Sequence, residues 1–156
     1  MANNFKKKIN DKLLKPLLDF LKQGMTPTGL ALSVSLGFIL GLFPVVGTTT
    51  VLCLLIALIF KLNVAAVQLI NYIVYPLQLL LIIPLINLGS KILNVNPIPY
   101  TISELVDLVK NDFLLALKQL WLAHLMGIFA WLIIIIPLGV TLYFSLRIVF
   151  QKMAKA

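Results

Sequence analysis

Three runs of this chain contain no Asp, Glu, Lys or Arg: residues 23–60, 62–90 and 119–146. About 20 apolar residues of helix cross the hydrocarbon core of a bilayer, which is about 30 Å thick. A water-soluble domain of this size must instead cover itself with charge and polar groups. Here 61% of residues are hydrophobic and 12% charged, against the usual about 45–50% and about 25%. The chain therefore reads as an all-α integral membrane protein.

The remaining charge lies between and outside the runs. Lys6, Lys7, Lys8, Lys12, Lys15 and Lys22 crowd the N-terminal segment against Asp11 and Asp19, and the tail carries Arg147, Lys152 and Lys155 with no acid. Positive charge beside apolar runs marks cytoplasmic flanks and contact with anionic lipid, not a nucleic-acid face. Residues 91–118 balance three Lys with three acids and make the better outside segment. Together with Lys61 this predicts a multi-pass topology with both termini cytoplasmic. One Cys, one His and five acids leave no disulfide framework, metal set or nucleophile–base pair, so no enzyme, cofactor or metal is expected. Cys53 reads as a buried inert thiol, His124 as a packed or interfacial ring, and Glu104, Asp107 and Asp112 as a solvated helix face.

Three regions follow. Residues 1–25 read as a basic amphipathic helix on the headgroups: Phe5, Ile9, Leu13, Leu17 and Leu21 recur every fourth position, and Lys6, Lys7, Lys8, Lys12 and Lys15 are the candidate headgroup contacts. Residues 26–93 form a membrane core of Gly/Pro-broken helices. Thr26 and Pro27 open its first helix as N-cap and first residue, and Gly41-Leu42-Phe43-Pro44-Val45-Val46-Gly47 interrupts it before an arm running from Thr48 to Phe60. Each arm is shorter than the apolar slab, so a re-entrant hairpin is expected; otherwise the second arm continues past a snorkelling Lys61. Residues 62–90 hold Pro76 and Pro84 and read as one tilted, broken or re-entrant element. Residues 94–156 comprise a loop at Asn94–Pro99, an amphipathic helix opened by the Thr101/Glu104 capping box, and a last transmembrane helix within 119–146, bent at Pro137 and ending at Arg147.

Residues 24–90 resemble a bacterial membrane family catalogued as domain of unknown function 2062. The resemblance rests on LALSVSLGFILGLFPVVGTTTVLCLLIALIFKLN (30–63) and NYIVYPLQLLLIIPLINLG (71–89), with Gly37, Gly41, Pro44, Gly47 and Asn63 at the family's positions. Before Pro76 stands Tyr75, where the family places Asn; Asn71 is nearby. The resemblance implies a small protein of the bacterial inner membrane, sometimes linked to glycosyltransferase or acyltransferase modules, and so a setting in lipid or lipid-linked sugar metabolism.

The break at residues 41–50 is the feature with chemical potential. Backbone groups opened at bilayer depth must be buried in protein or line a wet cavity. A helix beginning near Thr48 aims its free N–H groups at the break, which suits an anion. The candidate substrate-binding residues are Gly41, Pro44, Gly47, Thr48, Thr49, Asn71, Tyr72, Tyr75 and Gln78. The expected function is a transporter- or flippase-like protein receiving the phosphate of a lipid such as a polyprenyl phosphate. The alternatives are a kink satisfied by neighbouring helices, and a non-catalytic subunit or scaffold for a lipid- or glycan-modifying enzyme. The expected partners are anionic membrane lipids, a second copy of the chain in a homo-oligomer, or such an enzyme.

Overall fold

The computed structural model describes residues 25–95 and 102–155. The expected basic N-terminal helix with its lysines, the Asn96–Pro99 part of the expected loop and the expected Thr101 cap lie outside these residues. Among the described residues five helices form: α1 (Pro27–Gly41), α2 (Thr49–Ile59), α3 (Val64–Ile92), α4 (Ile102–Asn111) and α5 (Phe113–Lys155). No strand occurs among the described residues.

Local chemistry explains the helix ends. The Thr26 hydroxyl accepts from the Gly29 N–H at 3.1 Å, with Pro27 at the first helical position. Asn63 caps α3 by accepting from Ala66 N–H at 3.1 Å. The other ends of α2 and α3 close alike. Leu62 and Val95 donate back to Ala57 and Ser90 carbonyls, while Lys61 and Asn94 donate to Leu58 and Lys91. Both motifs place a non-glycine residue at positive φ, 52° at Lys61 and 53° at Asn94. The chain thus turns at Lys61, and the second arm does not run on past it.

Three expectations need correction. Residues 64–92 are one unbroken helix of 29 residues, about 43 Å long; of the tilted, broken and re-entrant forms expected, the last two are overturned. Pro76 and Pro84 lie on its exposed face, while Val67, Asn71, Val74, Gln78, Leu85 and Gly89 hold the opposite face buried. A proline that loses its bond on the outer face leaves the packed face intact. That length matches a bilayer with its headgroup zones, about 40–45 Å, so a single helix fits. Secondly, the helix after residue 101 is divided at Asp112, whose carboxylate accepts from Leu115 N–H at 2.9 Å and starts α5. Thirdly, α5 runs through Pro137 and past Arg147 to Lys155 as 43 residues.

Both α3 and α5 are long and apolar enough to cross a membrane. Their outer faces expose Leu80 (72%), Ile83 (68%), Leu114 (75%) and Ile136 (68%), apolar surface of the kind that meets a membrane or another protein. The shorter α1 and α2, of 15 and 11 residues, reach about 22 and 16 Å.

Close backbone approaches fix the arrangement. A Cβ on Gly37 would lie 2.6 Å from the Val67 carbonyl oxygen, and one on Gly41 3.2 Å from Asn71 Cα. With Gln78 bonded to Phe43, these contacts advance together along both chains, so α1 and α3 run parallel. Gly89 abuts the Met126 backbone and Gly127 faces Ile86, whereas Ala66 shares a buried cluster with Phe150, Leu30 and Ala31; α5 is therefore antiparallel to both. One end of the bundle gathers Met25, Lys61 and the Arg147–Lys152 region, and the other gathers Lys91 and Lys118.

The crossing at Gly89 is the tightest. Gly89→Ala would drive a methyl into the Met126 backbone, and overpacking of this kind costs about 1–3 kcal/mol. Thermal unfolding in detergent should show that loss for Gly89→Ala and almost none for Gly29→Ala, whose nearest neighbours are the ends of side chains.

Candidate functional site

The interruption between α1 and α2 spans residues 42–48. Its backbone folds on itself: Leu42 and Phe43 N–H donate to Ile39 and Leu40 carbonyls, and Thr48 donates to the Val45 carbonyl through both N–H (3.4 Å) and hydroxyl (2.9 Å). Gly47, at φ 84° with open space around it, supplies a conformation that side-chain-bearing residues adopt only under strain. Pro44 is fully buried and packs on Gly127.

Three carbonyls in and beside the turn also accept from the two long helices, two of them already bonded within the turn, Ile39 by Leu42 and Phe43 by Val45. Gln78 Nε2 donates to the Phe43 carbonyl at 2.7 Å, Trp131 Nε1 to the Ile39 carbonyl at 3.2 Å, and Gln68 Nε2 to the Thr50 carbonyl at 2.8 Å. The Phe43 and Trp131 rings meet edge to face at 5.1 Å. Gln78 is the central residue of α3, and Trp131 lies near the middle of the uncharged run 119–146. The turn therefore touches both long helices at half their length.

These bonds orient the amides. With Gln68 Nε2 on a carbonyl, its oxygen faces Asn71 Nδ2, which donates to it at 3.2 Å. Asn71 Oδ1 and Gln78 Oε1 are then left buried without a partner among the described residues. Seven residues apart on one helix, they stand about 10 Å from each other along its axis. The free atoms are acceptors, so these two side chains offer an anion nothing; their N–H groups already hold the hairpin.

The candidate residues divide accordingly. Gly41, Pro44, Asn71 and Gln78 meet at the inner side of the turn. Thr49 is buried, whereas Gly47 and Thr48 lie on an exposed tip with Val46. Tyr72 (59%) and Tyr75 (39%) are exposed on α3. The Thr48 hydroxyl is occupied by the Val45 carbonyl. What the tip does offer is backbone: among the described residues nothing accepts from the N–H groups of Val46, Gly47, Thr49, Thr50 or Val51. Gln68 and Trp131 are the residues missing from the expected set. Gln68 shares the helical face of Asn71 and Gln78, a spacing visible in the sequence. Trp131 stands in mid-run instead of at a membrane boundary, where the amphipathic ring usually sits.

Elsewhere, His124 Nδ1 donates to the Leu120 carbonyl of its own helix at 2.7 Å. Cys53 is buried in the core beside Ala57 and Val67. Among the described residues no three His, Cys, Asp or Glu side chains gather as a metal site requires.

If Gln78 is the keystone of the turn, Gln78→Leu leaves the Phe43 carbonyl only its 2.8 Å bond from Val45 N–H, and the lost bond should cost about 0.5–1.5 kcal/mol. Trp131→Phe should cost less, because its bond to the Ile39 carbonyl is longer, 3.2 Å against 2.7 Å, and an aromatic ring still meets Phe43. Unfolding in detergent by heat or denaturant should rank the two variants in that order.

A family model described as an uncharacterized protein conserved in bacteria, DUF2062, matches residues 12–156. The resemblance legible in residues 24–90 thus extends over nearly the whole chain. No curated protein and no solved structure matches it significantly.

Proposed function

We propose, for a chain that belongs to the DUF2062 family of bacterial proteins, a transporter- or flippase-like role in the membrane: it receives the phosphate of a lipid at the tip between α1 and α2. One observation carries this reading, the meeting of the turn with α3 and α5 at their midpoints. With α3 and α5 as spans, the hairpin is re-entrant and its tip lies near the midplane. Unpartnered N–H groups there cannot face lipid chains and need a polar occupant. Broken helices whose N-terminal ends point at anionic groups are how many transporters hold substrates at that depth. The gathering of Lys61 and Arg147 at one end supports placing that end, and both termini, in the cytoplasm.

The competing reading is a non-catalytic subunit that anchors a lipid- or glycan-modifying enzyme. It is favoured by the closure of the inner side of the turn by Gln78, Gln68 and Trp131, which needs no ligand.

Transbilayer exchange of a headgroup-labelled phosphatidylglycerol in proteoliposomes separates them. The parent should accelerate exchange. Gly47→Val, which forces a β-branched residue into positive φ at the tip without a steric clash, should slow it by about 10–100-fold, the worth of one lost bond to a charged group. Thr48→Val should change it little, since that hydroxyl serves Val45. No acceleration by the parent, or equal rates for Gly47→Val, contradicts the transport reading.

A further inference from the structure

We infer that a groove between α1 and α5 is a binding site for one chain of an ester-linked phospholipid, with Arg147 as the contact for its phosphate. The inference uses the membrane placement proposed above but not transport through the hairpin tip.

The groove has a volume of about 440 Å³ and is lined by Leu36 and Ile39 of α1 and Ile135, Gly139 and Tyr143 of α5, among other apolar residues. Gly139 makes the floor: a Cβ there would come within 3.3 Å of Ile39 Cδ1. From Ile135 to Tyr143 the groove follows about 12 Å of helix, from the level of the midplane turn towards the basic end of the bundle. Exposed Ile136 and Val140 stand at its mouth, so it opens on the surface that lipid would cover.

Polar groups occur where a phospholipid changes character. Arg147 ends the uncharged run and lies one helical turn beyond Tyr143, on the same face. It is half-buried, and a guanidinium suits bidentate contact with phosphate. An aromatic residue just inside a basic one is the usual order at a membrane boundary. Besides the Tyr143 hydroxyl, the groove has one polar side chain, Ser35, 2% exposed, with a hydroxyl that has no partner among the described residues. Leu30 shares a buried cluster with Phe150, and Ile39 meets Gly139, so Ser35 lies roughly level with Tyr143. That is one turn inside Arg147, at the depth where an ester joins chain to headgroup. Charge also selects the occupant: a second copy docked symmetrically on this face would bring Arg147 to Arg147, whereas a phosphate complements it.

Native mass spectrometry on the detergent-purified full chain, titrated with phosphatidylglycerol and with diacylglycerol of the same chains, tests the assignment. The parent should hold one phosphatidylglycerol in preference to diacylglycerol. Arg147→Gln should lower phosphatidylglycerol affinity by about 10–100-fold and leave diacylglycerol unchanged. Gly139→Leu, which displaces only the end of Ile39, should lower both; Leu80→Trp, on the far exposed face, should lower neither. Ser35→Ala should weaken both ester lipids severalfold. Preserved preference in Arg147→Gln, or parental retention in Gly139→Leu, overturns the site. A polyprenyl phosphate held more tightly than phosphatidylglycerol, and unaffected by Ser35→Ala, overturns the ester assignment. Lipid exchange that the parent fails to accelerate would sink the transport reading while leaving these retention results as they stand.

Discussion

A helix interrupted inside an apolar bundle leaves the carbonyls around the break with only short turn bonds, such as Leu42 to Ile39 and Val45 to Phe43, and the packing of this protein reinforces them. The Phe43, Ile39 and Thr50 carbonyls receive N–H groups from Gln78, Trp131 and Gln68. An unpaired buried carbonyl costs about 1–3 kcal/mol in an ordinary interior, and hydrocarbon offers no water to relieve it. The three donors reach these carbonyls because α1 and α5 come close to α3. Gly37, Gly41 and Gly89 permit that approach by having no Cβ to place between backbones. Small residues take the role here that large apolar ones take in a soluble core, since lipid solvates leucine as well as protein does.

The same closure divides the hairpin into two chemically different sides. Towards α3 and α5, the turn is bonded, packed against the Trp131 ring and rigid in its connectivity. Towards the outside, it ends in Val46, Gly47 and Thr48, with backbone N–H groups that no described residue satisfies. A purely structural kink has no use for that second side, and a purely open site has no use for the first. Both sides fit the function proposed above, in which a rigid platform presents its backbone donors near the centre of a membrane.

Much of this was legible in the sequence, for local reasons. Uncharged runs announced two apolar segments of membrane-spanning length, though neither the continuity of α3 nor the reach of α5 to Lys155; Thr26-Pro27 announced the start of α1, and the Gly/Pro cluster at residues 41–47 announced its end. What escaped reading depends on faces and on distance along the chain. Pro76 and Pro84 look like breaks in a linear sequence, yet both fall on the exposed side of α3 and leave its packed face continuous. Asp112 looks like one more charge on an amphipathic helix, but its side chain caps the next one. The donors that close the turn stand 35 residues away at Gln78 and 92 away at Trp131. No periodicity carries such a pairing; only the antiparallel return of α5 brings Trp131 to the hairpin.

The depth of the hairpin tip is the quantity on which the account turns. A fluorescent label at Val46, in a Cys53→Ala background and reconstituted with lipids quenched at graded chain positions, reads that depth directly. Contact with Gln78 and Trp131 places the label near the bilayer centre, about 15 Å from either edge of the hydrocarbon core. Strongest quenching by lipids modified near the chain ends is the predicted result. Strongest quenching at headgroup level would put the hairpin at the surface and contradict the account.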